Sequence, residues 1–203
     1  MKNILIVLFV ALFSVNGYTQ TENNKSLKPG FEIGLNYSLL QAEKELPSNY
    51  VIDNSAGFQF ALNMEWKLLE YLSIQPSLGL SMNKSHVTTE FIYQLYNTSY
   101  YEVFPVALEG GLRTLYYPFQ TNKKPFISAG LLYMQPLEKL YSSTSYGYGK
   151  NFALDIGFGL QNSFGKLNLS PEIRYTLGLS NVNQNPSFSD LSYNRIAVII
   201  TFK

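Results

Sequence analysis

Between Asn151 and Ser180 the sequence alternates large apolar residues with small or polar ones through two successive runs. In the first run the apolar residues occupy every second position from Phe152 to Leu160, and in the second from Leu167 to Leu179. A period of two over runs of this length indicates β-strands with one apolar face. The link at 162–165, Asn-Ser-Phe-Gly, has the composition of a short turn. This stretch therefore predicts a β-hairpin.

The other face of the hairpin carries mostly small residues, with a few charges of both signs such as Asp155, Glu172 and Arg174. Such a face is poorly suited to water, but it suits the packed interior of a barrel. We therefore expect the hairpin to belong to a barrel whose apolar face is turned outward to lipid.

Alternation elsewhere predicts six more strands, which makes eight in all, near 31–39, 58–66, 72–82, 100–116, 126–135 and 193–203. A tilted membrane strand requires about 9–11 residues. The strand at 126–135 is apolar on both faces apart from Ser128 and Gly130, which leaves its facing open. Long and short connections alternate along the chain. Outer-membrane barrels show the same alternation, with short turns and both termini on the periplasmic side. Residues 30–203 are thus predicted to form an all-β, eight-stranded antiparallel up-and-down transmembrane barrel.

Three prolines interrupt the predicted strands, namely Pro76, Pro105 and Pro171. Because proline cannot donate a hydrogen bond to the strand ladder, we expect a bulge or a strand end at each of them.

The N-terminal twenty residues are typical of an export signal. Lys2 precedes an apolar run from Ile4 to Phe13, and this run is shorter than the roughly 20 residues that a spanning helix needs. Small residues predict cleavage between about Gly17 and Gln20, after which 21–29 form a short linker. The chain has no cysteine, which excludes both disulfides and lipidation at an N-terminal cysteine.

The charge content argues against a soluble protein and against nucleic-acid binding. Charged residues make up 14% of the chain, compared with about 25% in typical soluble proteins. Removal of Lys2 with the leader leaves 14 basic and 14 acidic residues. A chain without net charge offers no electrostatic attraction for nucleic acid.

Two features favour a lipid-facing barrel over a soluble, exported lipocalin-like binding barrel, which remains the alternative architecture. A soluble barrel needs many Lys and Glu on its outer face, whereas the non-apolar face here is mainly Gly, Ala, Ser, Asn and Gln. Aromatic residues also fall near both ends of the strands, where girdles meet lipid headgroups. The predicted girdle comprises Tyr37, Phe58, Trp66, Tyr100, Tyr116, Phe126, Phe152, Phe164 and Phe202.

Three segments carry a resemblance to a known family: Val103–Val106, Leu115–Phe119 and Pro125–Gly130. With the leader and the apolar last strand, they resemble the PorT-like, porin-family outer-membrane β-barrel domain and the small OmpA- and OmpX-like barrels of Gram-negative bacteria. The resemblance implies a protein of the outer membrane, in contact with its lipid, inserted by the barrel assembly machinery and without enzyme activity. One departure is that Phe202 is penultimate, whereas such barrels usually end on an aromatic residue.

The charges predicted to face inward form a lumen charge network. A lumen of eight strands is just wide enough for side chains, and an unpaired buried charge is very costly. We therefore favour a salt-bridged, mostly filled lumen, and a narrow porin-like channel for small solutes is the alternative. The network comprises Glu32, Glu65, Glu109, Arg113, Asp155, Glu172, Arg174 and Arg195.

Signals for catalysis, cofactors and metals are weak. His86 is the single histidine, and a triad with Ser85 and Glu90 is disfavoured because adjacent strand residues point to opposite faces. The loop acids lack EF-hand spacing, and no phosphate-binding loop is present. We expect a non-enzymatic protein without cofactor or metal, in a structural or surface-interaction role, with the partner of its loops left open. Loop tyrosines either extend the girdle or form a binding surface, and they are Tyr93, Tyr96, Tyr141, Tyr146 and Tyr148.

Overall fold

The computed structural model describes residues 27–44, 46, 50–89, 99–119, 123–137, 149–164, 167–183 and 190–203. The predicted leader and most of the linker lie outside this part of the chain, as do the five loop tyrosines and Glu90. The described residues form strands β1 (Leu27–Ala42), β2 (Tyr50–Asp53), β3 (Ala56–Leu69), β4 (Leu72–Asn83), β5 (His86–Thr89), β6 (Ser99–Glu102), β7 (Val106–Tyr116), β8 (Lys123–Pro136), β9 (Asn151–Phe164), β10 (Leu167–Gly178) and β11 (Leu191–Phe202).

Eight of these strands close into an antiparallel barrel in the order β1-β11-β10-β9-β8-β7-β4-β3. The first strand closes the barrel against the last, from Phe31 opposite Phe202 to Ala42 opposite Leu191. Closure leaves none of the eight strands with an unpaired edge. The predicted eight-stranded up-and-down barrel is confirmed.

The alternation of the predicted hairpin separates the outer surface from the lumen. Phe152, Ile156 and Ile173 are exposed by 59%, 49% and 62%, whereas Asp155 and Arg174 are exposed by only 2% and 5%. Large apolar side chains cover the outside of the other barrel strands in the same way. An apolar surface of this extent is unsuited to water, and it matches the lipid-facing band of a membrane barrel.

Connections of different length separate the two ends of the barrel. The short ones at 70–71, 117–122 and 165–166 share one end with the start of β1 and the finish of β11, since Leu27 lies opposite Trp66 and Phe202 opposite Leu169. We call this the short-turn end and the opposite one the long-loop end. None of the described segments forms a helix with the length and apolarity needed to cross a bilayer.

Strands within the long connections are a departure from the sequence prediction. The sequence predicts no strand between 39 and 58 or between 82 and 100, yet β2, β5 and β6 pair into a separate three-stranded sheet at the long-loop end. Each of these strands has only four residues, too few for a period of two to be recognised. The strand predicted at 100–116 is correspondingly split between β6 and β7.

The prolines behave in two ways. Pro105 lies between β6 and β7, at a strand end as predicted. For Pro76 and Pro171 the prediction is wrong, because both lie inside strands that keep their register. Across Pro171, for example, Leu169 opposite Asn162 and Glu172 opposite Gly159 belong to one register. A strand held by ladders on both sides tolerates the loss of a single donor, and the register shift between β3 and β4 lies instead between Lys67 and Leu69.

Candidate functional site

All eight charges predicted to face the lumen are buried, each with 8% exposure or less. Strand alternation explains their common facing, since each lies at an inward position of its strand. The structure brings six of them into two groups of ion pairs and gives the remaining two other partners.

Glu32, Arg113, Glu172 and Arg174 form the first group, which we call the central network. Arg113 Nη2 lies 2.5 Å from Glu32 Oε1, and Arg113 Nη1 lies 3.0 Å from Glu172 Oε2. Arg174 Nη2 lies 3.3 Å from Glu32 Oε2 and 2.7 Å from Glu172 Oε2. Each guanidinium therefore contacts both carboxylates, and the group as a whole is neutral. Such mutual pairing offsets the large cost of burying charge.

Polar neighbours add hydrogen bonds to the central network. Asn63 Nδ2 donates to Glu32 Oε1 at 2.9 Å, and Ser128 Oγ donates to Glu172 Oε1 at 2.5 Å. Gln75 Oε1 accepts from Arg113 Nη2 at 3.1 Å. Gly157 provides room beside them, since a Cβ at this residue would overlap the Glu172 carboxylate and lie 2.6 Å from Ser128 Oγ.

Arg195 and Glu109 form the second group through two parallel hydrogen bonds. Arg195 Nη1 donates to Glu109 Oε1 at 2.5 Å, and Nη2 donates to Oε2 at 3.1 Å. A bidentate pair of this kind fixes both the position and the orientation of the two groups. Asp155 is not part of either group, and it accepts a hydrogen bond of 2.6 Å from Thr176.

Glu65 is paired with a residue that the sequence analysis missed. Lys203 Nζ lies 2.6 Å from Glu65 Oε2, and the Tyr117 hydroxyl donates to Glu65 Oε1 at 2.8 Å. The signal was present in the sequence, because the alternation of β11 continues from Thr201 and turns Lys203 inward. Burial, together with the neighbouring Glu65 carboxylate, raises the pKa of Tyr117 well above its ordinary value, so the phenol remains a donor.

An apolar cluster, which we call the apolar cap, fills the lumen at the long-loop end. Phe104 lies within it, fully buried, with its ring centroid 5.0 Å from that of Tyr193 in an edge-on arrangement. Its φ of 54° is unusual for a bulky residue. Val87 of β5 belongs to the cluster, and Ile52 of β2 packs against it, so the outer sheet sits on the barrel mouth. The other members are Leu40, Val103, Ala107, Leu132, Met134, Ala153, Val182 and Leu191.

The cap explains the strand that was apolar on both faces. Leu131 is exposed on the outside of β8, whereas Leu132 and Met134 point inward and are buried in the cap. Both faces of this part of β8 therefore have apolar surroundings.

Most of the predicted aromatic girdle lies on the outer surface, with one exception. Tyr37, Phe58, Trp66, Tyr116 and Phe152 are exposed, and Phe202 is half-buried beside Phe31.

For Phe126 the prediction is wrong, because it is only 2% exposed and faces the lumen. Its ring packs against Tyr117 and over Gly159, which has no side chain to exclude it. The side chains of Tyr100 and Phe164 lie outside the described residues.

The candidate triad is not assembled in the described part of the chain. His86 Nε2 lies 3.2 Å from Asp53 Oδ2, and His86 Nδ1 lies 2.9 Å from the Lys84 carbonyl. Ser85 is fully buried, and its hydroxyl contacts Ser38 and the Ser55 backbone instead. Among the described residues, no group of three or more His, Asp or Glu is placed to hold a metal ion.

A closed barrel with an apolar exterior and an ion-paired lumen defines an integral membrane protein of the outer-membrane type. Residues 18–184 match the family described as outer membrane protein beta-barrel domain, and the chain belongs to this family. Its location is accordingly the bacterial outer membrane. The finer PorT-like resemblance stays a prediction, and no curated protein matches the chain.

Solved structures of small outer-membrane proteins are similar to this chain. Neisserial surface protein A (NspA) aligns with a TM-score of 0.54 at 13% identity, covering 88% of this chain and 99% of NspA. The N-terminal barrel of Pseudomonas aeruginosa OprF aligns at 0.43 and 13% identity, covering 87% and 98%. OprG of the same organism aligns at 0.47 and 9% identity, covering 86% and 93%. The likeness to NspA shows a shared fold.

Proposed function

We propose that this protein is a closed, non-conducting barrel with a structural role, and that it acts through the surface at its long-loop end. The central network carries the proposal, because side chains from β1, β7 and β10 meet across the lumen at 2.5–3.3 Å. Closure at two further levels supports it, since the Arg195–Glu109 pair and the apolar cap fill the lumen toward the long-loop end.

Conductance of the refolded protein in planar lipid bilayers tests the closed state. We expect no steady current from the wild-type barrel. The double variant Glu109→Ala/Arg195→Ala, which removes one level of closure, should stay closed because the central network and the cap remain. A steady, ion-selective current from the wild type, with uptake of small sugars by liposomes, would overturn the proposal in favour of a narrow channel.

We also place the short-turn end and both termini in the periplasm and the long loops outside the cell. The short turns and the paired terminal strands at one end support this orientation, as in other outer-membrane barrels. Because the chain lacks cysteine, single cysteines can report it. A large, membrane-impermeant maleimide should label Lys150→Cys on intact cells and Glu70→Cys only after the outer membrane is permeabilised. The reverse pattern would contradict the orientation.

A non-enzymatic role completes the proposal. Its support is the separation of Ser85 from His86, whose ring nitrogens face Asp53 and the Lys84 carbonyl. We expect no deacylation of phospholipid or lipopolysaccharide by the purified protein. A lipid-hydrolysing activity that disappears in His86→Ala would show that a catalytic site exists at this end.

A further inference from the structure

At the short-turn end the lumen opens into a cavity of about 110 Å³, which we call the basal cup. Three lysines line it, Lys28 from β1, Lys67 from β3 and Lys124 from β8. β1 and β3 are neighbours, whereas β8 is separated from β3 by β7 and β4, so the three lysines line the cup from two parts of the barrel wall. In the described part of the chain, no carboxylate forms an ion pair with any of these three lysines.

The two acidic side chains of the cup are already engaged. Glu65 is paired with Lys203 at 2.6 Å and accepts the Tyr117 hydroxyl at 2.8 Å. Glu70, in the turn after β3, has an interaction partner of its own. The main-chain oxygen of Lys203 accepts a hydrogen bond of 3.0 Å from the backbone N–H of Asn168. The positive charge of the three lysines therefore lacks a counter-charge among the acids that line the cup.

Neutral polar groups complete the wall of the cup. Gln161, Ser163 and Asn168 line it from β9 and β10. Ser163 Oγ donates to Asn168 Oδ1 at 2.6 Å, which leaves the side-chain nitrogen of Asn168, Nδ2, as a donor to a bound group. A cavity needs only about 10–15 Å³ of such volume to hold one water molecule, so the cup has room for a small polyatomic group.

We propose that the basal cup binds a phosphate group. The positive charge of three lysines around one cavity matches the charge of about −1.5 to −2 that a phosphate monoester carries near pH 7, and lysine binds phosphate as a point charge. A single carboxylate would leave more of the positive charge unbalanced. The group is either free phosphate or the headgroup of a lipid. The proposal is independent of the closed lumen, because a conducting barrel could carry the same cup.

Thermal unfolding in maltoside micelles, which contain no phosphate, tests the proposal. Inorganic phosphate is added at constant ionic strength, with chloride as the reference salt. At about fivefold excess over its Kd, phosphate should raise the unfolding midpoint by roughly 2–4 °C in a chain of this size. The triple variant Lys28→Gln/Lys67→Gln/Lys124→Gln should lose this rise, whereas Lys84→Gln, at the opposite end of the barrel, should keep it.

A second arm identifies the source of the phosphate. Phosphatidic acid, whose headgroup is a phosphate monoester, is added to the micelles in place of inorganic phosphate, with a neutral glycolipid as reference. A lysine-dependent rise with the lipid alone supports the proposal and assigns the group to a headgroup, and a rise with inorganic phosphate assigns it to a soluble ligand. The proposal is overturned if neither addition gives a rise that depends on the three lysines. The triple variant's own midpoint in chloride checks that it folds.

Discussion

Arg113 and Glu172 lie 59 positions apart in the chain and are joined across the lumen by two hydrogen bonds of 3.0 and 3.2 Å. Their strands, β7 and β10, are not neighbours, since β8 and β9 separate them in the barrel. The contact therefore connects two walls that no ladder joins. This contact therefore contributes to the stability of the whole barrel, and it also blocks the lumen.

Removal of one carboxylate from the central network should be strongly destabilising. In Glu172→Gln the two arginines share Glu32 alone, which leaves positive charge buried without a partner. We expect the free energy of unfolding to fall by about 3–5 kcal/mol, measured by urea unfolding in lipid vesicles. Glu43→Gln, an exposed acid at the long-loop end, should change it by less than about 0.5 kcal/mol. Equal effects of the two variants would show that the network contributes little.

Glycine at 157 is expected to be required by the side chains around it. Gly157→Ala would push a methyl group against the Glu172 carboxylate and Ser128, and overpacking of this kind costs about 1–3 kcal/mol. Gly110 is the matched control, because a Cβ there meets nothing within 4 Å. Unfolding midpoints of Gly157→Ala and Gly110→Ala in the same vesicles make the comparison. A Gly157→Ala barrel as stable as the control would contradict the crowding.

At Phe104 the glycine variant should be more stable than the alanine variant, which is the reverse of the order expected at an ordinary residue. Alanine and glycine both remove the ring, but glycine alone adopts a positive φ without strain, an advantage of about 1–2 kcal/mol. Phe104→Gly should therefore unfold at a higher urea concentration than Phe104→Ala.

Val103, also buried in the apolar cap, has no positive φ and supplies the control for Phe104. There glycine should be the less stable variant by about 0.5–1 kcal/mol. Glycine below alanine at both positions would argue against strain at Phe104.

Depth in the bilayer should decide the effect of a charge on the outer surface. Ile173 and Leu179 are each 62% exposed, but Ile173 lies in the middle of β10 and Leu179 just beyond its end. Arginine costs about 2–4 kcal/mol at the bilayer midplane and about 0–1 kcal/mol near the interface. Ile173→Arg should thus be far more destabilising than Leu179→Arg in lipid vesicles. Similar losses of stability in both variants would mean that the cost of the charge does not depend on its depth in the bilayer.

The barrel strands could be predicted from the sequence because lipid imposes one requirement along their whole length. Every outward position from Phe152 to Leu160 must be apolar, and the same rule turns Asp155 inward without reference to any other strand. The facing of the lumen charges follows from this periodicity alone.

The partners of those charges could not be predicted in the same way. Inward facing allows Glu65 to pair with several bases, and its choice of Lys203 depends on the stagger of β3 against β11 around the closed barrel. The predicted facing of Phe126 failed for a related reason, since β8 is apolar on both faces and its sequence does not distinguish lipid from the packed lumen. The apolar cap was missed because Val103, Phe104 and Pro105 interrupt the alternation from which the strands were recognised.

The pairing of β1 with β11 has a consequence for biosynthesis. The edge of β1 that does not pair with β3 finds its hydrogen-bond partners in β11 (Leu191–Phe202), which follows the other seven barrel strands in the chain. Until β11 has been synthesised, the nascent chain has an unpaired strand edge and apolar side chains that no bilayer covers. Its passage to the outer membrane therefore requires a chaperone that shields the unfolded chain until the barrel can close.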